Sequence, residues 1–182
     1  MNIVYCKVSF KNELEQILNL QRANLRFTQS EDEEMNQGFV TVQHDFDLLS
    51  QMNEMTAHII AKDEGKVVGY ALAMPNYFHD KIPILKPMFD LIDSLKVNQI
   101  SVRDENYIVM GQICIEKSYR GTGIFEGLYS MFFNEYKSRY AHVITEVAVR
   151  NIRSVKAHLK VGFQKIYQYQ EIDAEEWVVL RY

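Results

Sequence analysis

Cysteine, proline and tryptophan are scarce in this sequence: its 182 residues hold two cysteines, three prolines and one tryptophan. Cys6 and Cys114 have neither metal-ligand spacing nor the density of a disulfide framework, so a reducing compartment and no structural metal are expected. No apolar run approaches the ~20 residues that span a bilayer, so no membrane association is expected. The stretch from Met1 to Glu15 lacks a basic segment followed by an apolar one. No signal peptide is therefore expected, and a cytoplasmic protein is the simplest reading. Positive charge is not in excess either. The net charge is −4 and no extended basic patch appears, which argues against binding nucleic acid through its phosphates. Mild acidity does not repel a small polycation, and it also serves solubility alone. Repeats and low-complexity linkers are absent, so residues 1–182 are expected to form a single domain.

What is present is a mixed succession of strand and helix patterns. Ile3 to Val8 reads as a strand and Asn12 to Leu25 as a helix, with Leu14, Ile17, Leu18 and Leu25 at helical spacing. Ser30 and Glu33 match a capping box inside an acidic run, Glu31 to Glu34. A short helix is expected over Phe46 to Asn53. Ala57 to Lys62 and Lys66 to Met74 form a hairpin around Asp63-Glu64-Gly65. Residues 75–105 are an excursion with a helical pattern from Met88 to Leu95 after Pro87. Tyr107 to Ile115 is an apolar, central strand in which Gly111 marks a bulge or a close approach. A helix over Ile124 to Tyr136, a strand over His142 to Val149 and a helix over Ile152 to Val161 follow, closed by Gly162. Phe163 to Gln170 and Trp177 to Tyr182 complete the strands. The order indicates an α/β fold with an antiparallel start and a strand-helix-strand-helix-strand end.

The chemistry concentrates at Arg120-Gly121-Thr122-Gly123, between strand and helix. Glycines permit positive φ and let a ligand reach the backbone. The first N–H groups of the helix are unsatisfied, and with the dipole they make an anion site suited to a pyrophosphate. Arg120 adds a permanent charge. Alone, the turn fits three readings. Gly121, Gly123 and Gly127, with Glu146 further on, resemble a dinucleotide fingerprint, though fewer than 60 residues follow Gly127 for the repeated units such a fold needs. A structural turn with a surface arginine is the second reading. An acyl-coenzyme A site is the third.

The run Ile113-Cys114-Ile115-Glu116-Lys117-Ser118-Tyr119-Arg120-Gly121-Thr122-Gly123-Ile124 resembles the main motif of GNAT-type N-acetyltransferases, Arg/Gln-x-x-Gly-x-Gly/Ala after an apolar strand and before a helix. Arg120 and Gly123 match the first two fixed positions. Phe125 departs from the third, so its ring must turn away from the pyrophosphate. Asn151 to Phe163, a strand-end Asn followed by a helix and Gly-Phe, resembles the family's later motif. The resemblance implies a central mixed, mostly antiparallel sheet with a splay between two parallel strands, flanked by helices. It implies N-acetyltransfer from acetyl-coenzyme A to a primary amine by direct transfer in a ternary complex. The alternative of another class is a catalytically inactive coenzyme A-binding sensor or interaction protein.

Carried over residue by residue, the resemblance assigns the pantetheine arm to backbone groups of Ile113, Cys114 and Ile115, with a strand N–H polarising the thioester oxygen. It assigns the pyrophosphate to N–H groups from Arg120, Gly121, Thr122, Gly123, Ile124 and Phe125, and a further pantetheine hydrogen bond to Asn151. His158 occupies the place of the family's proton-donating tyrosine, and an imidazole titrates in the right range. Glu146, beside the splay, is the preferred base, with Glu116 its rival. Cys114 reads as a small apolar strand residue rather than a nucleophile. Tyr77, Phe78 and His79 offer aromatic walls and donors for the acceptor, and residues 84–95 a subunit contact in a homodimer.

Overall fold

A computed structural model describes residues 1–25, 39–171 and 175–182. The capping box at Ser30 and Glu33, the acidic run and residues 172–174 between the last two strands lie outside the described residues. Seven strands form one sheet: β1 (Ile3–Lys7), β2 (Ile59–Asp63), β3 (Lys66–Pro75), β6 (Tyr107–Ile115), β7 (His142–Ala148), β9 (Glu176–Arg181) and β8 (Gln164–Gln170), in that spatial order. Two short strands, β4 (Lys96–Val97) and β5 (Ile100–Ser101), pair separately. Among the described residues the only parallel pair in the large sheet is β6 with β7. Their ladder is brief: Tyr107 faces His142, Ile108 faces Val143 and Val109 faces Ile144. Beyond it the strands diverge, and the Thr145 hydroxyl bridges the start of the gap to the Met110 carbonyl at 3.0 Å. This is the splay on which the functional reading depends.

Helices α1 (Lys11–Arg22), α2 (Phe46–Met55) and α3 (Lys86–Ser94) cover one face. Helices α4 (Ile124–Tyr136) and α5 (Ile152–Lys160) cover the other. Strand alternation divides the core between the faces. Tyr70, Leu72, Tyr107, Val109 and Ile144 pack with the first helices; Ala71, Ala73, Ile108, Met110 and Val143 pack with the second. Gly111 resets this alternation. The β3 ladder steps from Ala73–Met110 to Leu72–Gln112, so Gly111 is the extra residue of a bulge. After it, Gln112 and Cys114 return to the first face. Helix α3 buries Met88, Phe89 and Ile92 in the chain's own core, so these residues do not provide the exposed apolar surface expected for a subunit contact. Among the described residues, no helix is long and apolar enough to cross a membrane.

Gly127, the third glycine of the dinucleotide-like pattern, has a packing role. A Cβ there would overlap the ring of Tyr5, which crosses α4 from β1. Alanine is favoured over glycine within a helix by about 1 kcal/mol. Gly127→Ala is therefore expected to destabilise the protein by about 1–2 kcal/mol through the displaced ring. In a Tyr5→Ala background the same change should stabilise by about 1 kcal/mol. A double-mutant cycle by urea denaturation reads the sign reversal.

Candidate cofactor and catalytic site

The exit of β6 is held at several points before the glycine turn begins. The Glu116 N–H donates to the Val68 carbonyl at 2.9 Å, Lys66 pairs with Glu116, and the Tyr119 hydroxyl donates to Asp63 at 3.0 Å. The Thr122 hydroxyl then closes the turn on the Tyr119 carbonyl at 2.6 Å. Gly121 and Gly123 have φ of +79° and +89°, and among the described residues, chain neighbours aside, no heavy atom lies within 4 Å of a Cβ built on either. Backbone at these two positions thus borders open space that a side chain would enter. Gly123 caps α4 without any side-chain bond, and the first helical bond runs from Gly127 N–H to its carbonyl. The N–H groups of Ile124, Phe125 and Glu126 have no acceptor within the helix. Glu126 is the acidic residue of this first turn.

A cavity of about 380 Å³ lies between this turn, the end of β6, α5 and Phe39–Val40. Ile113, Cys114, Ile115, Arg120, Gly121, Gly123, Phe125 and Asn151 all line it. The residues that the sequence pattern nominated for a cofactor thus converge on one space, apart from Thr122 and the buried Ile124. Asn24, Phe39, Val40, Glu126, Arg153, Ser154, Ala157 and Lys160 also line it and were missed. No spacing rule points to Asn24 or Phe39, since long-range packing brings them in. The α5 residues did carry a signal: Arg153, Ala157 and Lys160 share one helical stripe.

Several side chains are used differently from expectation. Arg120 turns inward: its Nε donates to the Ile115 carbonyl at 3.1 Å and a terminal nitrogen to Asn24 Oδ1 at 2.6 Å. It ties the end of β6 to the segment after α1 rather than standing as a bare charge beside an anion. Asn151 caps α5, accepting from the Ser154 N–H at 3.2 Å, and donates through Nδ2 to the Phe39 carbonyl at 3.3 Å. Its side chain fixes the far wall of the cavity. The Phe125 ring packs on Tyr129 and edge-on to His158, with centroids 5.0 and 5.2 Å away. The large side chain therefore leans toward the α4–α5 interface, as the expected clearance of the turn requires.

His158 does not fit the role of proton donor to a bound group. It is 1 % exposed, does not line the cavity, and is walled by Phe125, Tyr129 and Phe163. Its Nδ1–H donates to the Ser154 carbonyl at 2.7 Å, and among the described residues Nε2 has no partner. Burial pushes its pKa down to about 4, so the ring is neutral at pH 7. Cys114 is likewise unsuited to nucleophilic attack, since burial raises its thiol to about 11.

Glu146 sits on β7 two residues past Ile144, the last residue paired with β6, and on the face of Ile144. The Tyr169 hydroxyl donates to its carboxylate at 2.8 Å. Burial raises its pKa to about 7, with the Tyr169 bond opposing and Glu171 adding to the rise. Glu116 is instead paired with Lys66 at the surface.

Tyr77, Phe78 and His79 do not reach the cavity. Strand β3 runs antiparallel to β6, with Gly69 opposite Ile115 and Pro75 opposite Ile108. The residues after Pro75 therefore emerge at the opposite end of β6 from the glycine turn, separated by roughly 23 Å of strand. There Phe78 is buried in the core, Tyr77 lies beneath Lys81, and His79 bonds Asp80 and Asp90. Among the described residues no group of three or more His, Cys, Asp or Glu side chains is arranged to hold a metal ion.

Known structures share this architecture. The NatC complex bound to Gag peptide and CoA contains a chain similar at 13% identity and a TM-score of 0.68, over 100% of this chain and 98% of that one. A polyamine N-acetyltransferase of Drosophila melanogaster is similar at 12% identity and a TM-score of 0.69, covering 100% and 99%. The ribosomal-protein-S18-alanine N-acetyltransferase of Escherichia coli is similar at 13% identity and a TM-score of 0.61, covering 99% and 92%. No curated protein matches the chain in sequence. The model of the acetyltransferase (GNAT) family matches residues 14–163, and the chain belongs to that family, whose acyl donor is acetyl-coenzyme A.

Proposed function

We propose that this protein is an N-acetyltransferase that passes an acetyl group directly to a primary amine of an acceptor. The observation that carries the reading is the convergence, on one cavity, of the unpaired β6 edge, the positive-φ turn and the Asn151 end of α5. These residues fit the group. Backbone of Ile113, Cys114 and Ile115 would hold the pantetheine arm, because past Val109 that edge has no strand partner on the β7 side among the described residues. N–H groups from Gly121 to Phe125 would hold the pyrophosphate. Acetyl-coenzyme A, when bound, supplies an acetyl group on a thioester.

Glu146 is the base in this reading. It lies at the opening of the splay, and a carboxylate poised near neutrality accepts a proton from an ammonium better than an ordinary surface one. Tyr169 orients it. The similar structures are of proteins named for a bound peptide, for polyamine acetylation or for N-acetylation of a ribosomal-protein alanine. A primary amine is the group common to such acceptors.

Release of free thiol on mixing with acetyl-coenzyme A and a panel of polyamines, aminoglycosides, amino acids and peptides tests the assignment. Coenzyme A binding without turnover across that panel would favour the sensor alternative. With an active acceptor, Glu146→Gln is expected to lower kcat about 100-fold while leaving the KM for acetyl-coenzyme A nearly unchanged. Wild-type kcat should rise with pH through about 7, where Glu146 loses its proton, and the variant should lose that limb. An unchanged kcat in Glu146→Gln would remove it from the mechanism.

A further inference from the structure

The anion site at the start of α4 already holds an anion of the protein's own. Glu126 is the third helical residue after Gly123, so its carboxylate is carried on the first turn, where the helix leaves backbone N–H groups unsatisfied. Lys160, from the last turn of α5, meets the same carboxylate at 2.6 Å. Both residues line the cavity, and among the described residues Glu126 is the only acidic one that does, alongside the cations Arg120, Arg153 and Lys160. The pair therefore spans the cavity from one helix to the other at the end where the turn lies.

We propose that Glu126 and Lys160 form a latch over the phosphate end of the cofactor site: Glu126 acts as a built-in competitor of the cofactor's phosphates, and Lys160 changes partner from Glu126 to a phosphate when the cofactor binds. The inference rests on the cofactor reading above. Two anions at one helix N-terminus compete for the same N–H groups and the same end of the dipole. A carboxylate there stabilises the free protein and opposes a phosphate. The latch opens readily, because both partners are substantially exposed, 74% for Lys160 and 43% for Glu126, and such surface pairs are weak. What remains is the charge itself. The Glu126 carboxylate cannot leave the first turn of α4, so it continues to repel the phosphates after Lys160 has moved.

The consequence runs against the usual effect of altering a cofactor-site residue: neutralising Glu126 should improve the site. Calorimetric titration of coenzyme A and of dephospho-coenzyme A into wild type, Glu126→Gln, Lys160→Gln and Gly123→Val separates the possibilities. Glu126→Gln keeps the shape and removes the charge, and is expected to bind coenzyme A about tenfold more tightly. Lys160→Gln is expected to bind it about tenfold more weakly. If the Lys160 effect vanishes with dephospho-coenzyme A, its partner is the 3′-phosphate; if it persists, its partner is the pyrophosphate. Unchanged or weaker binding by Glu126→Gln, in a protein whose wild type binds and whose Gly123→Val variant does not, overturns the latch alone. Failure of the wild type to bind coenzyme A overturns the site reading beneath it.

Discussion

Replacing Gly123 by valine is expected to cut affinity for acetyl-coenzyme A about 1000-fold while leaving the fold intact. Three features combine there. Its φ of +89° lies where a β-branched residue is strongly disfavoured. It caps α4 by backbone alone, so the direction of the first helical N–H groups depends on that φ. Finally, a Cβ at Gly123 meets, among the described residues and chain neighbours aside, no heavy atom within 4 Å and projects into open space beside the cavity that Gly123 lines. The protein thus has room for the side chain, and the loss falls on the ligand. Re-aiming two or three charge-assisted N–H bonds and blocking the approach amounts to about 4 kcal/mol, which is the stated factor. Calorimetry with coenzyme A measures it, and far-ultraviolet circular dichroism checks the fold. Gly123→Ala, with a smaller Cβ but the same demand on φ, should fall between. An affinity within about threefold of wild type for the valine variant would place the phosphates elsewhere.

The strand, turn and helix around Gly123 were legible in the sequence because each has a local cause. An apolar run, two glycines and a helical period follow one another within a few residues, and their physics needs no distant partner. Gly111 was legible as an irregularity for the same reason, but its effect was not. The bulge reverses which face Gln112 and Cys114 occupy, and only the pairing with β3 reveals that. The distance of the acceptor triad from the cofactor cavity was hidden for a related reason. Tyr77, Phe78 and His79 follow a strand whose direction relative to β6 decides which end of the sheet they reach. Arg120 was placed correctly along the chain, but the direction of its guanidinium depends on Asn24, 96 positions away. His158 shows the limit most plainly. Its position in the helical pattern suggested chemistry, while the rings of Phe125, Tyr129 and Phe163 make it part of the core.

That burial has a consequence for stability. His44, His58 and His158 are buried, and burial pushes their pKa values down to about 4, 3 and 4. Hydrogen bonds fix their neutral forms. His58 Nδ1 accepts from the Ala73 N–H at 3.1 Å while Nε2–H faces the Leu49 carbonyl, and His44 Nδ1 accepts from the Gln21 amide at 2.8 Å. In the unfolded chain these rings take up protons below about pH 6.5, and in the folded chain they do not. The stability they contribute is therefore complete above pH 6.5 and is lost as pH falls toward the folded values. Between pH 7 and pH 5 each loses about 2 kcal/mol, so the three together lose about 6 kcal/mol. Glu146 acts in the opposite sense. Its folded pKa of about 7 lies above the unfolded one, so it takes up its proton in the folded state first and returns about 2 kcal/mol over the same window. Glu13, Asp90 and Glu126 are held below the usual carboxylate range, chiefly by Lys62 and two backbone N–H groups, by His79 and by Lys160 respectively. Their contribution is lost mainly below pH 5. Urea denaturation is accordingly expected to give a free energy of unfolding about 4 kcal/mol lower at pH 5 than at pH 7, a large share of the stability of a domain this size. His158→Leu, close to histidine in volume and apolar like its surroundings, should shrink that difference by about 2 kcal/mol. The same variant separates the two roles considered for this residue. A smaller pH dependence with an unchanged kcat assigns His158 to the core, whereas a kcat lowered about 100-fold in a stably folded variant would return it to catalysis.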